Sequence, residues 1–174
     1  MDVTVTGDKR TRAGLDALIA GGTLVGKIGW TAQDIHTDPE TGATQPVAKT
    51  ALLNEFGYAS KLNGKTTVIP ARPFLRNTIS RESRNWLNDI MRGGELVHNN
   101  QINFNTVLEI TTTTAINDVR TTVRARIAPP LAPYTLKQRL TNSIRRGGPL
   151  TSGTLPLLDT GHMLNTLTNE VIPT

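Results

Sequence analysis

Between Ala48 and Arg76 the chain restricts its own backbone more tightly than anywhere else. The run AKTALLNEFG spaces its apolar residues as a helix does, then meets Gly57, the residue type that most easily takes the positive φ of a helix end. Further on, Ile69-Pro70-Ala71-Arg72-Pro73-Phe74-Leu75-Arg76 contains two prolines, each biasing the residue before it away from helical geometry. Pro73 is also tolerated in a first helical turn, where its missing N–H would be an orphan anyway. The stretch therefore predicts a helix, a stop, a polar segment, a rigid extended approach and a second helix. The polar segment Tyr58 to Val68 holds Asn63-Gly64, a hairpin or loop-tip signal.

The second helix predicts a buried stripe of Phe74, Leu75, Ile79, Trp86, Leu87 and Ile90, closed by Gly93-Gly94. Upstream, Leu15, Leu18 and Ile19 give Thr11 to Ala20 helical spacing, and Gly21-Gly22 stops it. Thr23 to Trp30 reads as a strand around Val25 and Ile28, and Ala32 to Pro46 as a turn-rich loop. Downstream, Asn105 to Arg126 predicts a long helix with Leu108, Ala115, Ile116, Val119, Val123 and Ile127 near one face. The β-branched run Thr111 to Thr114 weakens it and leaves a strand as the competitor. Pro129-Pro130 and Pro133 mark a break before a short helix around Thr135 to Ser143. Arg145 to Pro156 reads as a flexible loop and Leu157 to Met163 as a turn or one helical turn. The alternation through Leu164 to Ile172 predicts a last strand.

At 174 residues the chain fits one domain, 1–174, with flexible loops near 32–46, 58–68 and 145–156. It can bury about 70% of its unfolded surface, enough for a core without staples. Cysteine is absent, which excludes disulfides, thiolate metal sites and a cysteine nucleophile. The opening MDVTVTGDKR has no long apolar run, arguing against a secretory signal, and no window nears the roughly 18 apolar residues of a membrane span. A soluble protein made in the cytoplasm is expected. Net charge is +5, and no acidic residue occurs from Val119 to Leu158. Arg120, Arg124, Arg126, Lys137, Arg139, Arg145 and Arg146 all lie in that stretch. It can face nucleic acid or an acidic protein, or simply be a solvated helix face and loop, which is the commoner case. Tyr134 is its only aromatic, so a single-strand stacking platform is not indicated.

Leu157-Leu158-Asp159-Thr160-Gly161 has the form of an aspartic-protease loop. That chemistry needs two carboxylates sharing a proton and a fold following the loop, yet 13 residues remain after Gly161. A helix- or turn-capping Asp159 with Gly161 at a tight corner is the better reading. His36, His98 and His162 are scattered, without the clustered partners of a zinc site. No phosphate-binding loop occurs, and glycines 21, 22, 26 and 29 do not lead into a helix. No catalytic residue, metal or cofactor is expected. Phe56 and Phe74 are expected in the core. Glu55 with Arg72 and Arg76 is expected as an exposed ion pair fixing the loop between the helices, worth under about 1 kcal/mol. Alternatively Arg72 or Arg76 reaches a neighbouring subunit, because a planar guanidinium binds carboxylates at interfaces in two places at once.

Several motifs in order carry a resemblance: Leu24-Val25-Gly26; His36-Thr37-Asp38-Pro39; Val47-Ala48 through Asn54-Glu55-Phe56-Gly57; and Ile69 through Arg76. They continue with Pro129-Pro130-Leu131-Ala132-Pro133-Tyr134-Thr135-Leu136 and with Pro156 through Leu164. In this order they resemble the neck and tail-completion proteins of tailed bacteriophages, the virion-morphogenesis or minor tail family. The likeness spans roughly Leu24 to Val171, and its Glu-Phe-Gly plus Pro-Ala-Arg-Pro-Phe pair is its most specific part. Thr106 to Thr122 and Arg145 to Thr154 depart from it.

The resemblance implies an α+β fold, a small antiparallel sheet packed by two or three helices with long projecting loops. It implies a structural virion protein without catalysis, made in the host cytoplasm and forming a homo-oligomeric ring, a hexamer or dodecamer. Its implied partners are the portal or connector, head-closure and tail-terminator or tail-tube proteins, with DNA in the channel and no membrane. Glu55, Arg72, Arg76, Arg145 and Arg146 become subunit-interface candidates, and Arg120, Arg124, Arg126, Lys137 and Arg139 contacts to DNA or an acidic partner. The alternative is a nucleic-acid-binding protein using 120–146.

Overall fold

A computed structural model describes residues 13, 14, 16, 17, 19, 23–37, 42–62, 65–125, 127–145, 155–157 and 161–173. The fold is α+β. Its elements are β1 (Leu24–Gly29), β2 (Ile35–Thr37), β3 (Thr44–Pro46), α1 (Val47–Phe56), β4 (Tyr58–Leu62), β5 (Lys65–Ile69), α2 (Phe74–His98), α3 (Phe104–Arg124), α4 (Pro133–Arg145), α5 (His162–Asn165) and β6 (Thr168–Pro173). Ala13, Gly14, Asp16, Ala17 and Ile19 are helical as their spacing predicts. The strands pair two by two, β1 with β6, β2 with β3 and β4 with β5, the last two pairs antiparallel.

Two compact units divide the chain. The first comprises Met1–Ile28, Glu82–Ile116 and Asn169–Thr174, the second Gly29–Arg81 and Asn117–Thr168, so the division falls within α2 and α3. In the first unit, β1 approaches α3 so closely that a Cβ on Gly26 would stand 2.7 Å from Thr112 Cγ2. Asn169 of β6 donates to Thr112 Oγ1 at 2.8 Å. Val97, Val107, Leu108, Ala115 and Ile116 form its core. In the second unit, Phe74, Val47, Val119 and Val123 are almost wholly buried, and Trp30 meets Phe74 edge-on at 6.3 Å. The Trp30 indole N–H donates to Met163 O at 2.7 Å, tying the chain after β1 to α5.

Several expectations are corrected. Ala32 to Pro46 is not all loop. Ile35 pairs with Pro46 and Thr37 with Thr44, and Val47 N–H donates to Asp34 O at 2.8 Å beside that pair. Its turn signal Asp38-Pro39 lies outside the described residues. Tyr58 to Val68 takes the hairpin alternative, registered from Tyr58↔Ile69 to Leu62↔Lys65, with the Asn63-Gly64 tip outside the described residues. Gly93-Gly94 does not end α2. A Cβ on Gly93 would collide with the Val107 side chain, so the glycine is there for a close helix–helix approach. The end comes at Asn100, whose φ of 55° places it in the left-handed region. Asn100 N–H bonds Val97 O and Gln101 N–H bonds Leu96 O, both at 2.9 Å, the paired bonds of a Schellman cap.

The stripe on α2 also differs. Phe74, Thr78, Gly93 and Val97 are buried and Leu75, Trp86 and Ile90 half-buried, whereas Ile79 and Leu87 are exposed. Steps of three and four from Phe74 reach Thr78, Glu82, Trp86, Ile90, Gly93 and Val97 but miss Ile79 and Leu87. On α3 the expected face holds from Leu108 to Val123, whereas Ile127 lies beyond the helix end, and the threonine run is helical. Thr111, Thr112, Thr113 and Thr114 each direct the hydroxyl to the carbonyl four residues back, at 2.7–3.0 Å. Asn103 caps the start by accepting Thr106 N–H at 2.8 Å. The last strand begins at Thr168 rather than Leu164, since His162–Asn165 forms the helical turn α5.

Candidate functional site

The residues singled out between Asn54 and Arg76 meet where α1 ends and α2 begins. On α1, Val47, Ala51 and Glu55 share the buried face at four-residue spacing, leaving Leu52 and Phe56 exposed. The Glu55 carboxylate accepts from Leu75 N–H at 2.9 Å, Arg76 N–H at 3.1 Å and Arg76 Nε at 2.9 Å. Leu75 and Arg76 stand in the first turn of α2, where backbone N–H groups have no intrahelical acceptor. Glu55 thus caps a helix from another element, its negative charge set against the positive end of that helix. Arg76 returns a bond from Nη2 to Glu55 O at 3.0 Å, and its guanidinium lies 4.7 Å above the Phe56 ring.

Three earlier expectations change here. Glu55 is buried rather than paired in the open, its side chain 4% exposed against 55% for Arg76. Phe56 is exposed, and only Phe74 belongs to the core. Arg72 neither joins the pair nor reaches outward. It is buried, donating from Nε to Pro129 O at 3.1 Å and from Nη2 to Pro130 O at 3.4 Å. Burial, then the neighbouring Arg139 guanidinium, holds Arg72 below the usual arginine range.

The same junction fixes the base of the β4–β5 hairpin. Arg72 N–H donates to Asn54 O at 2.7 Å and Gly57 N–H to Leu53 O at 2.9 Å. Gly57 takes φ 73° and ψ 165°, and a Cβ there would stand 2.7 Å from both Ala71 N and Ile69 O. Only glycine fits. Beyond this base, Ala59, Lys61, Thr66 and Val68 share one face of the hairpin by register, all exposed, Val68 at 74%. Among the described residues no third strand joins it. Leu52, Phe56, Tyr58 and Val68 therefore leave substantial apolar area in water around a two-stranded hairpin, a unit that is marginal on its own.

The basic segment does not form one bare strip. Arg120 Nε donates to Leu164 O at 3.3 Å and Arg139 Nη1 to Leu155 O at 3.0 Å, both residues half-buried. Arg124, Lys137 and Arg145 are exposed, while Arg126 and Arg146 lie outside the described residues, as do most of the 145–156 loop and Asp159.

A cleft of about 190 Å³ lies in the second unit, lined in part by His36, Thr50, Asn54, Arg139, His162 and Met163. The His36 and His162 rings stand 5.5 Å apart, and His162 Nε2 is 3.2 Å from Ile35 O. Nothing in the sequence signalled this meeting of two distant histidines. Thr50 Oγ1 is buried without a partner. No carboxylate lines the cleft, and no group of three or more metal-ligating side chains occurs, among the described residues. Nor is any described helix long and apolar enough to cross a membrane. Comparison with protein families, curated proteins and solved structures finds no match to this chain.

Proposed function

We propose that this chain is a structural virion protein of the phage head–tail junction, a neck or tail-completion component without catalysis. In this reading copies form a ring, a hexamer or dodecamer, between the portal or connector and the head-closure, tail-terminator or tail-tube proteins. They are made in the host cytoplasm and end in the particle. The observation that carries it is the junction at Glu55. The two halves of the motif that resembles the neck family, Asn54–Gly57 and Ile69–Arg76, are tied through Glu55, Gly57 and Arg72. What they hold in place is an exposed hairpin that carries Val68 and follows the helix bearing exposed Leu52 and Phe56. A buried charge that fixes the base of a solvent-facing hairpin suits a surface meant for another protein.

Electron microscopy of lysates from a phage with an early stop codon in this gene tests the reading. Full heads and finished tails lying unjoined, or tails of abnormal length, are the expected result. Normal infectious particles would overturn it. The second reading, nucleic-acid binding, draws on exposed Arg124, Lys137 and Arg145. It requires DNA binding by the free protein with an affinity that falls steeply as salt rises.

A further inference from the structure

We propose that copies of this chain join head to tail, the β4–β5 hairpin and exposed face of α1 on one copy seating in an apolar groove of the next. This deepens the ring reading and rests on it. The groove belongs to the first unit, a cavity of about 290 Å³ lined by Leu96, Ile102, Val107 and Ile110 together with Asp89 and Arg92. Leu96 and Ile110 are 42% and 59% exposed, large aliphatic side chains left in water on α2 and α3. Each unit thus leaves large apolar side chains in water, Val68, Leu52 and Phe56 in the second and the concave groove in the first.

Charge decides which face meets which. The sequence of the first unit holds six Lys and Arg against eight Asp and Glu, net −2, and that of the second thirteen against six, net +7. Locally the contrast is the same. From Val47 to Arg81 the only acid is Glu55, which is buried and paired with Arg76, while Lys49 and Lys61 are exposed. On the groove side Asp89 and Arg92 line the cavity and offset one another, and Glu95 and Glu109, exposed and each next to a lining residue, leave that side acidic. Hairpin against hairpin would gather like cations, whereas hairpin into groove joins opposite signs and covers both apolar faces. A contact between two different faces is heterologous and propagates from copy to copy, as a ring requires.

The absence of cysteine allows a direct test in the full chain. Val68→Cys and Ile110→Cys, both at exposed positions, are mixed and treated with a short bis-maleimide. Mixed V68C–I110C dimers are expected in at least fivefold excess over either homodimer, with the yield falling several-fold from 50 to 500 mM salt, as roughly follows from screening. The doubly substituted chain should give a ladder of covalent multimers. Homodimers as abundant as mixed dimers, or a mixed yield no higher than V68C with Tyr134→Cys on α4, would overturn the contact. Val68→Asp and Ile110→Asp should each abolish self-association, and mixing the two should restore a single dimer. Intact necks containing the V68D protein refute this contact and leave the ring standing. Purified wild-type particles whose necks lack the chain refute the ring itself.

Discussion

Replacing Glu55 by alanine removes one acceptor from three donors at once, two of them backbone N–H groups in the first turn of α2. Hydrogen bonds to a charged group contribute about 1.5–3 kcal/mol each, and orphaned buried donors bear the desolvation cost. The Arg76 side-chain bond lies at the exposed end and adds under about 1 kcal/mol. Water entering the vacated space offsets part of the backbone loss, leaving a cost of about 3–4 kcal/mol. For a chain of this length 3 kcal/mol corresponds to about 6–12 °C in Tm. Urea unfolding followed by helical circular dichroism, on E55A and Arg76→Met in parallel, measures both. The expected order is a large loss for E55A and less than about 1 kcal/mol for R76M. If R76M costs as much as E55A, the ion pair rather than the helix cap matters. If E55A stays within about 1 kcal/mol of wild type, the capping argument is wrong.

Arg72→Lys should cost about 2 kcal/mol, since an ammonium lacks the planar fork that reaches both Pro129 O and Pro130 O; an unchanged urea midpoint would refute this. Gly93→Ala should cost about 1–3 kcal/mol by overpacking against Val107, read as a lowered thermal midpoint. Thr50→Val should leave stability unchanged or raise it by up to about 1 kcal/mol, because it removes a buried hydroxyl without a partner. A loss above 1 kcal/mol for that variant would mean the hydroxyl is satisfied in solution.

Element type was readable wherever local spacing and local signals agreed. The helices at Val47–Phe56, Phe104–Arg124 and Pro133–Arg145, and the strand at Leu24–Gly29, follow from periodicity and proline placement. Gly93-Gly94 misled because a glycine needed for close packing carries the same letter as one needed to end a helix. The threonine run was ambiguous because its helical state depends on burial and on hydroxyl bonds to the preceding turn. Of the candidate residues, Glu55 and Arg76 come together as expected, whereas Arg72 turns inward and Phe56 outward.

By itself the sequence determined a cysteine-free chain of mixed helices and strands, a helix stop at Gly57, a rigid approach from Ile69 to Pro73, and a basic stretch between Asp118 and Asp159. These depend on residue type and near-neighbour spacing, which act through backbone dihedrals, helical period and charge. Only the tertiary structure decided that Glu55 caps a helix twenty residues on, that Arg120 and Arg139 tie down distant carbonyls, and that His36 meets His162. Each joins groups remote in the chain, and whether a charged side chain is solvated or bonded depends on which remote backbone reaches it once the core has formed.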